Sequence, residues 1–273
     1  MKNILWVCCF MILLPLVSRA QMKNTVSEVR EYKEVDGKII ITCLVNSVEA
    51  DFVLDLAGQT AILPEYVEKF NIDTTEKAKI PYDCFQYKNI PTFRSVSLNS
   101  ISFGNNAFAN GLGAFVLKDE PYLRELGVAG IVGGAIFQRV VLTIDSQRKK
   151  LTMSQPYRPS YMKLTNRANA QLLQGVGMEC PITIDGVTFS CMLDTWNKGL
   201  VELNATDFAR LTGTAGKNVQ VYAGYGKTLV MVPAKVVGQC DFVRMAFKDV
   251  SIAENKSLIR SVIGTEILKH GLL

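Results

Sequence analysis

Two aspartates at the ends of apolar segments are the residues best suited to catalysis. Asp55 follows the apolar residues 52–54, and Asp194 follows the apolar residues 192–193. When a fold brings two carboxyl groups to one site, repulsion between like charges makes them share a proton. The ionised carboxylate then activates a water molecule, and the protonated one donates a hydrogen bond to a carbonyl oxygen. Such a pair can hydrolyse an amide without a metal or a covalent intermediate.

Two predicted β-hairpins place these aspartates in equivalent positions. One hairpin covers residues 38–54, with a turn at Asn46-Ser47. The other covers residues 182–193, with a turn at Asp185-Gly186, a dipeptide typical of tight hairpin turns. Each aspartate lies nine residues after the first residue of its turn. A single aspartate after a strand is most often a turn or cap residue, but the repeated placement favours a shared role.

The similarity between the two halves continues downstream. Short helical patterns follow at residues 62–70 and 200–211. Each half then contains strand-rich sequence and reaches an apolar pair followed by a glycine, Gly133 in the first half and Gly264 in the second. A repeat of this length indicates a duplicated domain rather than a solenoid unit.

Together these features resemble the two-lobed aspartic peptidases of the pepsin and retropepsin type. The resemblance is carried by residues 52–58 (FVLDLAG) and 192–197 (MLDTWN), supported by residues 130–133 (GIVG) and 262–264 (VIG). It covers roughly residues 35–273. It implies an all-β fold, a two-lobed pepsin/retropepsin-like barrel with short helices.

The resemblance also implies the roles of the main site residues. Asp55 and Asp194 are expected to form the catalytic dyad, with Thr195 and Gly58 supporting it. The substrate is expected to be a peptide or protein, bound as an extended strand between the lobes. The implied chemistry needs no metal and no cofactor.

Members of this family close a hairpin over the substrate, and aromatic residues of this sequence are candidates for that contact. Tyr87 lies in the corresponding stretch of the first half, and Tyr225 lies between two glycines in the second. Trp196 follows the second aspartate closely and is expected to line or fill the cleft.

The sequence departs from the family at both aspartates. The family motif is Asp, then Thr or Ser, then Gly, but Leu56 and Ala57 follow the first aspartate and Trp196 takes the glycine position in the second half. These changes leave an alternative open, a catalytically inactive relative that binds extended peptides in the same cleft. A further alternative is an unrelated two-domain β-sandwich protein of structural or adhesive type.

The resemblance predicts the domain boundaries. Residues 21–155 are expected to form the N-terminal lobe, residues 156–173 a linker, and residues 174–273 the C-terminal lobe. The second half stops nine residues after Gly264, so we expect its closing strand to be missing. An unpaired sheet edge favours association, and a homodimer is one way to cover it.

Length and composition indicate a globular protein. The chain has 273 residues, of which 48% are hydrophobic and 20% charged, with a formal net charge of +5. No basic tract is longer than residues 148–150, so a nucleic-acid-binding function is not expected.

The first 20 residues have the pattern of an export signal. A lysine precedes an apolar stretch at residues 4–17, and small residues at 18 and 20 fit a cleavage site before Gln21. We therefore expect a periplasmic or secreted protein with no membrane span after cleavage, the alternative being an uncleaved anchor. The mature chain would keep five cysteines, an odd number that allows one disulfide of undetermined pairing.

Overall fold

The structure of the chain is a computed structural model. It describes residues 26–75, 86–88, 94–104, 108–118, 120–155, 167–173, 176–226 and 228–271. The predicted export signal at residues 1–20 and the thiol of Cys84 lie outside the described residues. Among the residues that are described, no helix has both the length and the apolar character needed to cross a lipid bilayer.

Strands dominate the structure. They are β1 (Val26–Glu31), β2 (Lys33–Val35), β3 (Lys38–Val45), β4 (Val48–Asp55), β5 (Ala61–Ile62), β6 (Arg94–Ser102), β7 (Phe108–Val116), β8 (Gly130–Gly133), β9 (Val141–Asp145), β10 (Lys150–Gln155), β11 (Gln171–Leu173), β12 (Gly177–Ile184), β13 (Val187–Leu193), β14 (Val201–Leu203), β15 (Thr214–Ala215), β16 (Val219–Tyr222), β17 (Leu229–Val232), β18 (Ala234–Phe242), β19 (Met245–Glu254) and β20 (Val262–Ile263). The α-helices are short: α1 (Glu65–Lys69), α2 (Pro121–Glu125) and α3 (Ala205–Arg210). Two 3-10 helices cover Gly134–Phe137 and Thr265–His270.

The two halves of the chain fold into sheets of the same topology. The first sheet has the order β2-β3-β4-β8-β5-β7-β6, and the second has the order β11-β12-β13-β20-β14-β19-β18-β15. An additional pairing, β3 with β6 and β12 with β18, closes each sheet on itself. The predicted all-β, two-lobed pepsin/retropepsin-like fold is therefore confirmed, and an unrelated β-sandwich is not what the chain forms.

Both predicted hairpin turns are present. Asn46 and Ser47 have φ values of 48° and 70°, and Asp185 and Gly186 have values of 43° and 82°. Two successive residues with positive φ give the turn a twist that matches the right-handed twist of the flanking strands. The turns thereby set the register of β3 with β4 and of β12 with β13.

Each aspartate-bearing strand runs parallel to the strand with the apolar-glycine motif. β4 pairs with β8, which places Asp55 opposite Gly133, and β13 pairs with β20. A Cβ on Gly133 would lie 2.4 Å from the carbonyl oxygen of Gly58, and one on Gly264 would lie 2.3 Å from the carbonyl oxygen of Gly199. The repeated glycines are therefore needed because the backbone after each aspartate passes directly against them.

The two halves differ in the elements outside their closed sheets. β1, β10 and β9 form a separate three-stranded sheet in the first half, with β9 at its edge. In the described part of the second half, no strand follows β20, and the chain continues into the 3-10 helix at Thr265–His270. β11, within the predicted linker, pairs with β12 in the second sheet.

The four described cysteines are free thiols, and all are buried. They are Cys43, Cys180, Cys191 and Cys240. Burial raises the pKa of each thiol, so these side chains serve as small apolar core residues.

Candidate active site

The two predicted catalytic aspartates lie where the lobes meet. Asp55 is the last residue of β4, and Asp194 directly follows β13. Their relative exposures are 1% and 2%, so both carboxyl groups are withdrawn from solvent. The duplicated topology explains this placement, because each half delivers its strand end to the same interface.

Thr195 links the two aspartate loops across the lobe boundary. Its hydroxyl Oγ1 accepts a hydrogen bond from the backbone N–H of Leu56 (3.1 Å) and donates one to the carbonyl oxygen of Leu54 (2.7 Å). Leu56 takes the equivalent position in the first lobe. It has no hydroxyl, so the first lobe cannot form the corresponding bonds to the Asp194 loop. Only one side of the interface therefore supplies this link.

The loop after Asp55 corrects an expectation about where glycine is needed. Ala57 occupies the family's glycine position. Its side chain does not prevent its backbone N–H from donating to Asp55 Oδ1 over 3.1 Å. The close approach falls one residue later, where a Cβ on Gly58 would lie 2.1 Å from Asp55 Oδ2. Among the described residues with positive φ, none lies at 55–58 or 194–197, so Ala57 and Trp196 carry no backbone strain of that kind.

The loop after Asp194 uses the same pattern with different side chains. The backbone N–H groups of Trp196 and Asn197 donate to Asp194 Oδ1 over 2.7 and 3.2 Å. The Asn197 side chain adds a third bond, from Nδ2 to Asp194 Oδ2 over 2.6 Å. Sequence analysis did not identify Asn197, although its place three residues after the aspartate matches that of Gly58.

Burial and mutual repulsion dominate the electrostatics of the pair. Burial raises the pKa of Asp55 well above its usual range, and the nearby charge of Asp194 raises it further. Burial also raises the pKa of Asp194, against the opposing effect of the donors from Trp196 and Asn197. Two carboxyl groups in this situation share a proton to a higher pH than an isolated carboxyl group would.

Two further buried ionisable residues lie near the pair, and sequence analysis identified neither. Lys38, the first residue of β3, is 0% exposed, and burial lowers the pKa of its ammonium to about 7. Glu202, in β14, is 5% exposed, and burial raises its pKa to about 7. Asn255 donates from Nδ2 to Glu202 Oε2 (2.7 Å) and to the carbonyl oxygen of Tyr222 (3.0 Å).

Five buried aromatic residues pack together beside the dyad, and we call them the aromatic cover. Ring-centroid distances are 5.1 Å between Tyr87 and Tyr225, 5.6 Å between Tyr225 and Trp196, 6.0 Å between Tyr122 and Trp196, and 6.2 Å between Trp196 and Tyr222. The structure thus brings together all three residues predicted to contact substrate, Tyr87, Tyr225 and Trp196. Tyr122 and Tyr222 complete the group.

The aromatic cover is assembled from both lobes. Tyr222 ends β16, and Tyr225 lies in the connection from β16 to β17. Tyr87 comes from the first lobe, where residues 86–88 lie along residues 257–259 of the second: Lys88 N–H donates to Ser257 O, and Ile259 N–H donates to Gln86 O, both over 2.8 Å. The Tyr87 hydroxyl accepts from Asn197 Nδ2 over 3.3 Å. The cover therefore ties both lobes to the Asp194 loop.

Comparison with solved structures shows a distant likeness. No protein-family model and no curated protein matches the sequence. A crystal structure of a retropepsin-like aspartic protease from Rickettsia conorii is similar at 20% identity, over 48% of this chain and 91% of that chain, with a TM-score of 0.35.

Proposed function

We propose that this chain hydrolyses peptide bonds with Asp55 and Asp194 as its catalytic dyad. The observation that carries the proposal is the burial of two mutually repelling carboxyl groups at the lobe interface, each with its own set of loop donors. Burying two acids side by side opposes folding, so the arrangement is better explained by chemistry than by stability.

The two carboxyl groups of the dyad would have different roles in the reaction. The protonated carboxyl would donate to the scissile carbonyl, and the ionised one would take a proton from water as that water attacks. The backbone donors from Ala57 and Trp196 hold one oxygen of each carboxyl group. Asn197 Nδ2 also donates to the second oxygen of Asp194, so water or substrate would share that oxygen with the amide.

Substrate entry requires the aromatic cover to move. The dyad is almost fully enclosed while Tyr87, Trp196 and Tyr225 pack together. An extended peptide would displace residues 86–88 or the hairpin formed by β16 and β17, and then pair with the exposed strand edges. We include export in this proposal, on the pattern of residues 1–20; cell fractionation tests it.

The test is digestion of a diverse peptide library by the purified protein from acid to neutral pH, followed by mass spectrometry. We expect Asp55→Asn and Asp194→Asn each to lower the cleavage rate by about 10²–10⁴-fold, because each removes one proton-transfer group. Asp241→Asn is the matched control, since this β18 carboxylate accepts from Gln239 and not from either loop. Cleavage that survives in both dyad variants, or none in the folded parent, contradicts the proposal.

A second candidate function is peptide binding without turnover. It is favoured by Trp196, whose indole Nε1 is buried and has no hydrogen-bond partner among the described residues. A bound peptide carbonyl would satisfy this donor. Peptide binding that Trp196→Phe weakens, in a parent protein that cleaves nothing, would support this candidate; absence of any binding excludes it.

A further inference from the structure

Lys38 projects from the first lobe into the second lobe's half of the site. Side chains alternate along a strand, so Lys38 shares a face of β3 with Ile40, which packs into the same cluster as Trp196 and Tyr222. Lys38 is among the largest fully buried side chains of the described residues. A buried ammonium needs compensating contacts, and the structure provides them.

Three contacts hold the ammonium. Lys38 Nζ donates to the carbonyl oxygen of Trp196 over 2.5 Å. It also lies 3.7 Å from the ring centroid of Tyr222 and 4.3 Å from that of Trp196, both within cation–π range. One cation thus contacts the Asp194 loop and the strand β16 at once.

Among the nearby charges, that of Asp194 acts most strongly on Lys38, which makes the dyad its main counter-ion. Besides Asp55 and Asp194, the charges that act on Lys38 are those of Asp36, Lys198 and Glu202. Asp36 already accepts from Lys198 Nζ (2.8 Å) and from the hydroxyl of Tyr122 (2.6 Å), and Glu202 accepts from Asn255. The dyad carboxyls have no salt-bridge partner among the described residues.

We propose that Lys38 is a positioning residue of the site: its ammonium compensates the single negative charge of the dyad and holds the Asp194 loop and β16 in place through Trp196 and Tyr222. This deepens the proposed hydrolysis, whose catalytic group is that dyad. Trp196 connects the two, because its carbonyl oxygen accepts from Lys38 while its N–H donates to Asp194.

A double-mutant cycle between Lys38 and Asp194 tests charge compensation without requiring turnover. Lys38→Met, Asp194→Asn and the double variant are made in the full chain, and their urea denaturation midpoints are compared at pH 6. Lys38→Met leaves a buried carboxylate uncompensated, so removing Asp194 as well should recover much of the lost midpoint. The control cycle pairs Lys198→Met with Asp194→Asn, because Lys198 is an exposed cation bonded to Asp36; we expect additivity there.

Additive effects in the Lys38 cycle overturn the proposal. If Lys38→Met does not fold while Asp194 is present, the cycle is repeated with Lys38→Gln, which keeps an N–H donor for Trp196 but no charge. The mutant cycle measures coupling between Lys38 and Asp194, and the peptide library measures cleavage. The proposed role of Lys38 and the proposed hydrolysis can therefore be rejected separately. If Lys38 and Asp194 are coupled but no peptide is cleaved, the role of Lys38 is kept and the proposed hydrolysis is rejected. If peptides are cleaved but the midpoint changes are additive, hydrolysis is kept and the role of Lys38 is rejected.

Trp196 provides a second measurement of the positioning role. The chain has two tryptophans, Trp6 and Trp196, so in Trp6→Phe all tryptophan emission comes from Trp196. In that background we expect Lys38→Met to increase acrylamide quenching of Trp196 by threefold or more, and Lys198→Met to leave it unchanged. Equal quenching in the parent and Lys38→Met contradicts the positioning role.

Discussion

At the scale of single residues, the aspartate loops show which departures from a motif matter. Ala57 and Trp196 take the family's glycine position, where a backbone N–H donates to the carboxylate and a side chain is tolerated. Gly58 lies where the backbone contacts the carboxylate itself, and no side chain fits there. Leu56 removes a hydroxyl, so the side-chain link between the two aspartate loops comes from Thr195 alone.

Gly58→Ala should destabilise the protein by about 2–3 kcal/mol, because the new methyl group would lie 2.1 Å from Asp55 Oδ2 and must displace the carboxyl or the loop. Urea unfolding measures the loss. Gly224→Ala is the control, since a Cβ there has no neighbour within 4 Å, and should change stability by less than about 0.5 kcal/mol. Equal effects would show that the loop does not pack against Asp55 as described.

Thr195→Val should cost about 2–4 kcal/mol, because it keeps the shape but leaves the buried N–H of Leu56 and the carbonyl of Leu54 unpaired. The comparison is with Thr183→Val, whose hydroxyl bonds Thr188 at the surface of β12, by the same unfolding measurement. A Thr195→Val loss no larger than the control would exclude the link across the lobes.

At the scale of elements, the strands fix the dyad while the covering segments close it off. β4 with β8 and β13 with β20 repeat one parallel pairing, so the two aspartates are held by equivalent frameworks. The cover depends on fewer backbone contacts: β16 pairs with β17 alone in a two-stranded sheet, and residues 86–88 attach to residues 257–259. The cover is therefore the part of the site best suited to open.

Tyr225→Ala should open the aromatic cover, because it removes edge contacts to both Tyr87 and Trp196. We expect a stability loss of about 3 kcal/mol and clearly faster acrylamide quenching of Trp196 in the Trp6→Phe background. Tyr66→Ala, on α1 and packed on Phe70, is the control and should leave quenching unchanged. Unchanged quenching in Tyr225→Ala would mean that its ring does not shield Trp196.

At the scale of the whole molecule, the buried ionisable groups set how stability depends on pH. Glu202 and the dyad have raised pKa values, so the folded state binds more protons than the unfolded state above about pH 4.5. Lys38 has a lowered pKa of about 7, so the unfolded state binds the extra proton between about pH 7 and the ordinary lysine pKa of 10.5. The Glu202 effect makes stability fall as pH rises to about 7, and the dyad adds to that fall. The Lys38 effect makes stability rise above about pH 7.

We therefore expect Glu202 to lower stability as pH rises to about 7 and Lys38 to raise it above about 7, with slopes of up to about 1.4 kcal/mol per pH unit for each proton. Glu202→Gln should reduce the fall between pH 5 and 7, and Lys38→Met should remove the rise between pH 7 and 8.5. Above that range the buried thiols and tyrosines, with raised pKa values, oppose the rise. Urea unfolding across pH checks this, and a slope above pH 7 that is unchanged in Lys38→Met would contradict it.

The sequence by itself determined the features that depend on local patterns. Alternating apolar residues, the turns at Asn46-Ser47 and Asp185-Gly186, and the repeated aspartate and glycine predicted the hairpins, the duplication and the two-lobed fold. These signals are local because turn geometry and strand periodicity act between residues close in the chain.

Only the tertiary structure decided the surroundings of the dyad. Lys38 resembles any lysine at the start of a strand, and it becomes a buried cation because Trp196 and Tyr222 arrive from the other lobe. Asn197, Glu202 and the aromatic cover likewise depend on partners more than fifty residues away, such as Tyr87 for Asn197 and Asn255 for Glu202. Burial and electrostatic environment arise from such distant contacts, which no local sequence pattern encodes.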